Sequence, residues 1–326
     1  MMKLTNIAVC AAMAITAVAA PAFAQDITLK ASHNANADEP YGVGLRKMAE
    51  VLEAKTDGAA TINVFDNATL GDEMESIQGT QMGTVDIAVT ANSTLSNFVP
   101  DLSVFSLPFM FENAEQMDRA LSDPAVRDAI QAELEKQGFH LLSVFSAGTR
   151  HIMTKKPIES LADMEGLKIR TMQNPAHVDT FNAFGANATP IAYTELYGAL
   201  ETGVVDGAEA ANTNFFSQKF YEVAPDWAVV GWLELVAPVI MGKAAYDALP
   251  EDVQAALNEA GLEAGKFERA TYLASDNARF ADLEAVGVKM TRPDTAEFRE
   301  AAAPVQQKYL ETDGQKKIFE LLKSVE

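Results

Sequence analysis

The chain has 326 residues, 46 acidic against 25 basic side chains, and a formal net charge of −21. So acidic a surface repels nucleic acid and anionic lipid, which excludes both as partners. The single cysteine, Cys10, excludes an internal disulfide and any site built from several thiolates.

In chain order, the first element is a secretory signal. Lys3 supplies a positive start, residues 7–20 are an apolar run, and Ala22-Phe23-Ala24 is a small-residue cleavage site, so cleavage is expected after Ala24 and the mature chain in the periplasm. The run is too short to span a bilayer comfortably, and Pro21 follows it at once. Cys10 lies inside the run behind the bulky Val9 and is lost with it. The ~300 residues that remain are long for one core and natural for two lobes.

Residues 27–31 alternate like a strand, and Pro40 opens a helix to Lys55 with Leu45, Met48, Ala49 and Leu52 on one face. Residues 61–65 read as a second strand, 71–75 lead into a short helix ending near Gly83, and 85–89 read as a third strand. This βαβαβ order predicts a parallel sheet with helices on both faces. A helix over 124–137, closed by Gly138, and a strand over 140–145 follow. The second series has a strand at 167–170, helices at 176–184 and 194–201, and an apolar strand at 233–241. Residues 250–286 read as one long helix with a soft spot at Gly261 and Gly265, and 295–326 as a charged helical tail. There is no repeat or flexible tether, which fits two lobes joined by crossing strands. The expected boundaries are 1–24 for the signal, 25–147 plus about 237–276 for lobe I, and 148–236 plus about 277–326 for lobe II.

Catalytic patterns are missing. The four histidines, His33, His140, His151 and His177, show no helical metal-ligand spacing. No nucleophile elbow or phosphate loop occurs, and Gly42-Val-Gly44 lacks the third glycine of a dinucleotide fingerprint. A non-enzyme without cofactor or metal is expected. An anionic ligand would bind against the global field, so it needs local positive charge. Asp66, Asp72, Glu73 and Glu75 read as a solvated loop and helix start, where acids favour the dipole, with Glu73 set apart below.

The stretch Gly166-Leu-Lys-Ile-Arg-Thr-Met-Gln-Asn-Pro175, then Phe184-Gly-Ala-Asn-Ala-Thr-Pro190, Glu195-Leu-Tyr-Gly-Ala-Leu200, Gly203-Val-Val-Asp-Gly-Ala-Glu209 and Lys219-Phe-Tyr-Glu-Val223, resembles the solute-binding proteins of tripartite ATP-independent periplasmic (TRAP) transporters. Leu70-Gly-Asp-Glu73, Gly83-Thr-Val-Asp-Ile87, Leu107-Pro-Phe109 and Gly148-Thr-Arg150 extend the likeness over essentially the whole mature chain. The resemblance implies an α/β, two-lobed periplasmic binding protein fold with a long bracing helix, for which 250–286 suits. It implies a carboxylate clamp at Arg170, a second cation at Arg150, hydrogen bonds from Gln173 or Asn174, and an acid at Glu73 that accepts from ligand hydroxyls or amines. A planar guanidinium suits a carboxylate through two parallel charge-assisted bonds. His33 and Asn34, after the first strand, and Asn92, after the third, lie on loops expected to face the cleft. Where the family often has a ligand-touching asparagine this chain has Ala210, so the contact is lost or taken over by Asn212 or Asn214, with Phe215 as an apolar wall. The implied partners are a small organic acid anion and membrane permease subunits, and the protein is expected to be a monomer. A hexuronate-like sugar acid is favoured, because Glu73 would repel the second carboxylate of the alternative, a C4-dicarboxylate. Keto-acid binding is a further alternative, and a secreted lyase a remote one.

Overall fold

The computed structural model describes residues 27–325; the expected signal and its cleavage after Ala24 lie outside them. The first wing comprises β1 (Ile27–Ser32), α1 (Pro40–Lys55), β2 (Ala60–Phe65), α2 (Glu73–Met82), β3 (Ile87–Val89), the one-turn α3 (Asn92–Leu95), α4 (Ala114–Ser122) and α5 (Pro124–Lys136). The long strand β4 (Phe139–Thr154) leads to the second wing: β5 (Lys168–Thr171), α6 (Pro175–Ala183), β6 (Asn187–Pro190), α7 (Leu196–Glu201), β7 (Gly207–Ala210) and α8 (Asn212–Ser217). A second long strand, β8 (Asp226–Gly242), returns, followed by α9 (Lys243–Asp247), α10 (Glu251–Ala285), β9 (Lys289–Thr291), α11 (Thr295–Lys308) and α12 (Asp313–Ser324).

Local chemistry sets the helix starts. Pro40, Pro124 and Pro175 open α1, α5 and α6, where a missing N–H costs nothing. Asp72, Asp123 and Asn174 cap α2, α5 and α6 through their side-chain oxygens, each worth about 1 kcal/mol. Thr312 and Gln315 form a reciprocal capping box on α12.

The strands form one mixed sheet in the order β2-β1-β3-β8-β4-β7-β5-β6, with β9 on β8. It is parallel at its wings, β2-β1-β3 and β7-β5-β6, and where β9 joins β8, and antiparallel along its centre, where β3 meets β8, β8 meets β4 and β4 meets β7. The expected parallel sheet thus holds within each lobe and fails between them, because β4 and β8 cross in opposite directions. Both are far longer than their apolar patches predict. They are buried almost throughout, so alternation is lost, and register shifts at Leu141/Ser143, Ser146/Thr149 and Arg150/Ile152 interrupt their pairing.

Helix α10 runs unbroken past both lobes, packing on α1, β4 and α8. Gly261 and Gly265 are not a soft spot. A Cβ at Gly261 would collide with the Leu142 carbonyl, and one at Gly265 with the Ser143 hydroxyl, so the glycines let the brace lie directly on β4. The tail also differs from expectation, being two helices that part company. Phe298 of α11 packs on Phe184 of lobe II, ring centroids 5.1 Å apart. Helix α12, expected on lobe II, packs on α5 of lobe I, because its buried stripe, Ile318 and Leu322, completes that lobe's apolar cluster. The Thr312 hydroxyl donates to Asp101 at 2.6 Å and the Gln315 amide to Ser103 at 3.0 Å.

Candidate functional site

The cleft lies where β4 and β8 cross between the lobes. Arg150 arises on β4 just beyond a kink at Gly148, whose φ is +76°. A Cβ there would sit 2.5 Å from the Tyr272 ring and 2.7 Å from Ala211, so only glycine fits this turn between two packed elements. Arg170 comes from β5, and Glu209 from β7 between the two.

Glu209 is fully buried and bridges both arginines. Its Oε2 accepts from Arg150 Nε at 2.7 Å and its Oε1 from Arg170 Nη1 at 3.3 Å. Arg150 also donates to the carbonyls of Ala147 at 3.2 Å and Glu209 at 3.3 Å, and weakly to Asn214 Oδ1 at 3.5 Å. Arg170 Nε donates to the Ile191 carbonyl at 2.9 Å, and its Nη2 has no protein partner among the described residues. Arg150 and Arg170 are 2% and 1% exposed, so their charges act in a medium far less polar than water. Burial pushes the Glu209 carboxyl up, but the two arginines reverse this and leave it below its ordinary value. Burial likewise pulls down Arg150, yet its close contact with Glu209 holds it above the usual range. Arg170, with the longer contact, ends below its ordinary value through burial. Two cations share one anion, and Arg170 is the less compensated.

Two adjoining cavities of about 30 and about 200 Å³ border this cluster. Glu73, Met172 and Tyr193 line both. Arg150, Asn34, Glu39, Tyr41, Asn214 and Tyr272 line the first; Arg170, Gln173 and Thr194 line the second. Glu73 accepts from the Ala91 N–H at 2.7 Å and the Thr94 hydroxyl at 2.6 Å, and burial pushes it up to about 7, near the midpoint of its titration at neutral pH. The buried Tyr193 hydroxyl has no hydrogen-bond partner in the structure.

Of the residues expected at the ligand, the structure gathers Arg170, Arg150, Glu73, Gln173 and Asn34 around these cavities. The others are committed elsewhere. His33 pairs with Asp66 at 2.8 Å, in a cluster that Arg46 completes. The Asn92 amide donates to the Leu102 carbonyl at 2.8 Å and is fully buried. Asn174 caps α6 and donates across the cleft to Ser93 and Ser96, both at 2.9 Å. Asn212 is held by Asp276 and by Trp227 Nε1 at 2.9 Å. Phe215 stacks on Trp227 at 4.1 Å, inside the lobe II core. Short polar residues on loops cap helices and satisfy buried backbone as readily as they bind ligands, and sequence does not separate the two uses. Of the two candidates to replace the missing asparagine at Ala210, Asn214 lines the first cavity and Asn212 does not.

Glu209, Glu39, Tyr41, Tyr193 and Tyr272 were missed. Glu209 sits inside the Asp-Gly-Ala-Glu motif, where an acid ending an apolar strand was the available signal. The cleft is closed: Asn97 donates to the Gln173 carbonyl at 2.8 Å and Thr194 to Asp72 at 3.0 Å, besides the Asn174 contacts.

Known proteins share this fold. A TRAP periplasmic solute-binding protein from Xanthobacter autotrophicus Py2 with bound β-D-galacturonate superposes with a TM-score of 0.88 at 26% identity, covering 91% of this chain and 100% of that one. One from Roseobacter denitrificans with bound β-D-glucuronate gives 0.86 at 31% identity, covering 92% and 100%. By sequence, a solute-binding protein of Roseobacter denitrificans is 34% identical over 297 residues, 89% of this chain and 90% of that protein. The model of bacterial extracellular solute-binding proteins, family 7, matches residues 31–313, and the chain belongs to that family.

Proposed function

We propose that the protein captures a sugar acid of the hexuronate class in the periplasm and hands it to a membrane permease. The observation that carries this reading is the Arg150–Glu209–Arg170 cluster, two buried cations sharing one carboxylate at the wall of a closed cleft. A ligand carboxylate on Arg170 supplies the counter-charge that Glu209 delivers mainly to Arg150, through a charge-assisted contact strengthened by exclusion of water. The rest of the wall suits hydroxyls. Glu73, which accepts one bond on each oxygen, has further acceptor capacity, and the Tyr193 hydroxyl lacks a partner among the described residues. A C4-dicarboxylate would bring its second carboxylate toward Glu73 and Glu39, which would have to take up protons to escape like-charge repulsion. Uronates bound to the two solved relatives named above support the same reading.

Binding then proceeds by lobe closure on the anion, with β4 and β8 flexing where their pairing is irregular. Cleavage after Ala24 delivers the mature chain to the periplasm, and N-terminal sequencing of the exported protein reads it directly. A thermal-shift screen over sugar acids, keto acids and dicarboxylates tests the ligand class. An acid at 100 times its Kd stabilises by about 2.7 kcal/mol, and Arg170→Ala is expected to abolish that shift in a protein that still folds. Shifts with dicarboxylates and none with uronates would overturn the ligand class; normal binding by Arg170→Ala would overturn the clamp.

A further inference from the structure

Glu39 occupies the N-cap position of α1, yet its side chain makes no cap bond to that helix. Its carboxylate turns across the cleft. Oε1 accepts from the Ser217 hydroxyl at 2.9 Å and the Gln218 amide at 3.2 Å, besides the Asn36 N–H of its own lobe at 3.1 Å. Oε2 accepts from the Asn214 side-chain amide. Ser217, Gln218 and Asn214 all belong to α8 or its C-terminal end, in lobe II. Asn214 is held from the other side: its Oδ1 accepts from the Tyr272 hydroxyl of the brace helix at 2.9 Å and from Arg150 Nη1 at 3.5 Å. Glu39 is 3% exposed and has no cation partner among the described residues. A buried unpaired carboxylate is tolerated only when hydrogen bonds replace its water, and three of its four donors come from the opposite lobe. Opening the cleft removes them together.

We propose that Glu39 and Asn214 form a cross-lobe latch: Glu39 is a positioning residue that holds α8 against lobe I and, through Asn214, ties closure to the orientation of Arg150. The fixed polarity of the contact makes it testable. Asn214 Oδ1 is occupied by Tyr272 and Arg150, so only its amide nitrogen faces Glu39. Glu39→Gln sets amide against amide, and Asn214→Asp sets carboxylate against carboxylate. The double variant restores one donor and one acceptor with the direction reversed.

The inference takes its ligand from the sugar-acid reading, so D-glucuronate is the probe, with association and dissociation rates measured by stopped flow. Each single variant is expected to raise the dissociation rate about 10- to 100-fold, the worth of a charged hydrogen bond, with association changed less than about threefold, since affinity changes within one interface fall mostly on dissociation. The double variant is expected to recover most of the loss. A residue with a merely structural role moves the ligand-free melting temperature and shows no rescue. Additive effects, or single variants with wild-type dissociation, overturn the latch and leave the functional reading standing. Failure of D-glucuronate to bind the wild type, with dicarboxylates binding in the screen and no other uronate doing so, defeats the sugar-acid reading. The latch is then decided on the ligand-free radius of gyration by X-ray scattering: each single variant is expected to be more open, the double to close again, and four equal radii overturn it.

Discussion

Replacing Glu209 by glutamine strips the shared counter-charge from two buried guanidiniums. At an effective dielectric of about 20, contacts at 2.7 and 3.3 Å correspond to gross attractions of about 6 and about 5 kcal/mol. Most of this is offset by the cost of burying the three ions. Deleting one partner of a buried pair nevertheless costs about 3–5 kcal/mol, because the surviving charge stays desolvated and unmatched. Here two charges are left unmatched, and the amide introduced by the substitution would present a donor to one of them. In a chain of this size each kcal/mol moves the melting temperature by roughly 2 °C, so Glu209→Gln is expected to melt roughly 6–10 °C below wild type without ligand. A sugar acid reintroduces a carboxylate at the same place, so its stabilising shift is expected to be larger in the variant than in wild type at equal saturation. Scanning calorimetry with and without ligand measures both. A ligand-free melting temperature within about 2 °C of wild type, one kcal/mol or less on the same scale, would refute the claim that Glu209 is the charge that keeps both arginines buried.

Buried acids make stability depend on pH. Glu268 is fully buried, takes one bond from the Ser146 N–H at 2.8 Å, and leaves Oε1 without a partner; burial pushes it up to about 8. Glu234, held by the Thr149 hydroxyl, is likewise pushed up to about 8, and Asp276 to about 6. An acid whose folded pKa lies above its unfolded value stabilises the fold below the unfolded value and loses that contribution as pH rises through the folded one. The buried histidines, pulled down by burial to about 3 at His151 and about 4 at His177, act in the opposite direction below about pH 7, so the ligand-free melting temperature is expected to fall between about pH 7 and 8.5, and a flat or rising profile there contradicts it. Glu268→Gln, which cannot ionise, is expected to melt above wild type at about pH 8.5 and near it at about pH 5.5. Gly148→Ala forces a side chain into a positive-φ turn packed on Tyr272; a loss of about 1–3 kcal/mol in chemical unfolding is expected, with weaker ligand binding in calorimetric titration, and wild-type values for both would remove Gly148 from the hinge.

The helices of the first wing were legible because Leu45, Met48 and Leu52 recur at helical spacing behind a proline start. Wing strands such as β1 and β2 were legible from alternation and the turns beside them. The crossing strands were not: in β8 the apolar run was visible only from Leu233, while Asp226 to Ala228 pair with β4 and β9 before it. Arg150 and Arg170 could be picked because the motifs around them carry a resemblance. His33, Asn92 and Asn212 could not be told from ligand contacts, since their partners, Asp66, Leu102 and Asp276, lie 33, 10 and 64 residues away in sequence. Glu39 carries no signal in the sequence beyond standing before Pro40, and its partners lie 175 to 179 residues downstream.

The sheet runs through both lobes without interruption, and α10 and the tail helices weave back over each. No single cut in the chain yields one whole lobe. A single crossover therefore cannot exchange one lobe for another, in evolution or in the laboratory. Substitution at the cleft wall changes ligand preference while leaving this shared scaffold in one piece.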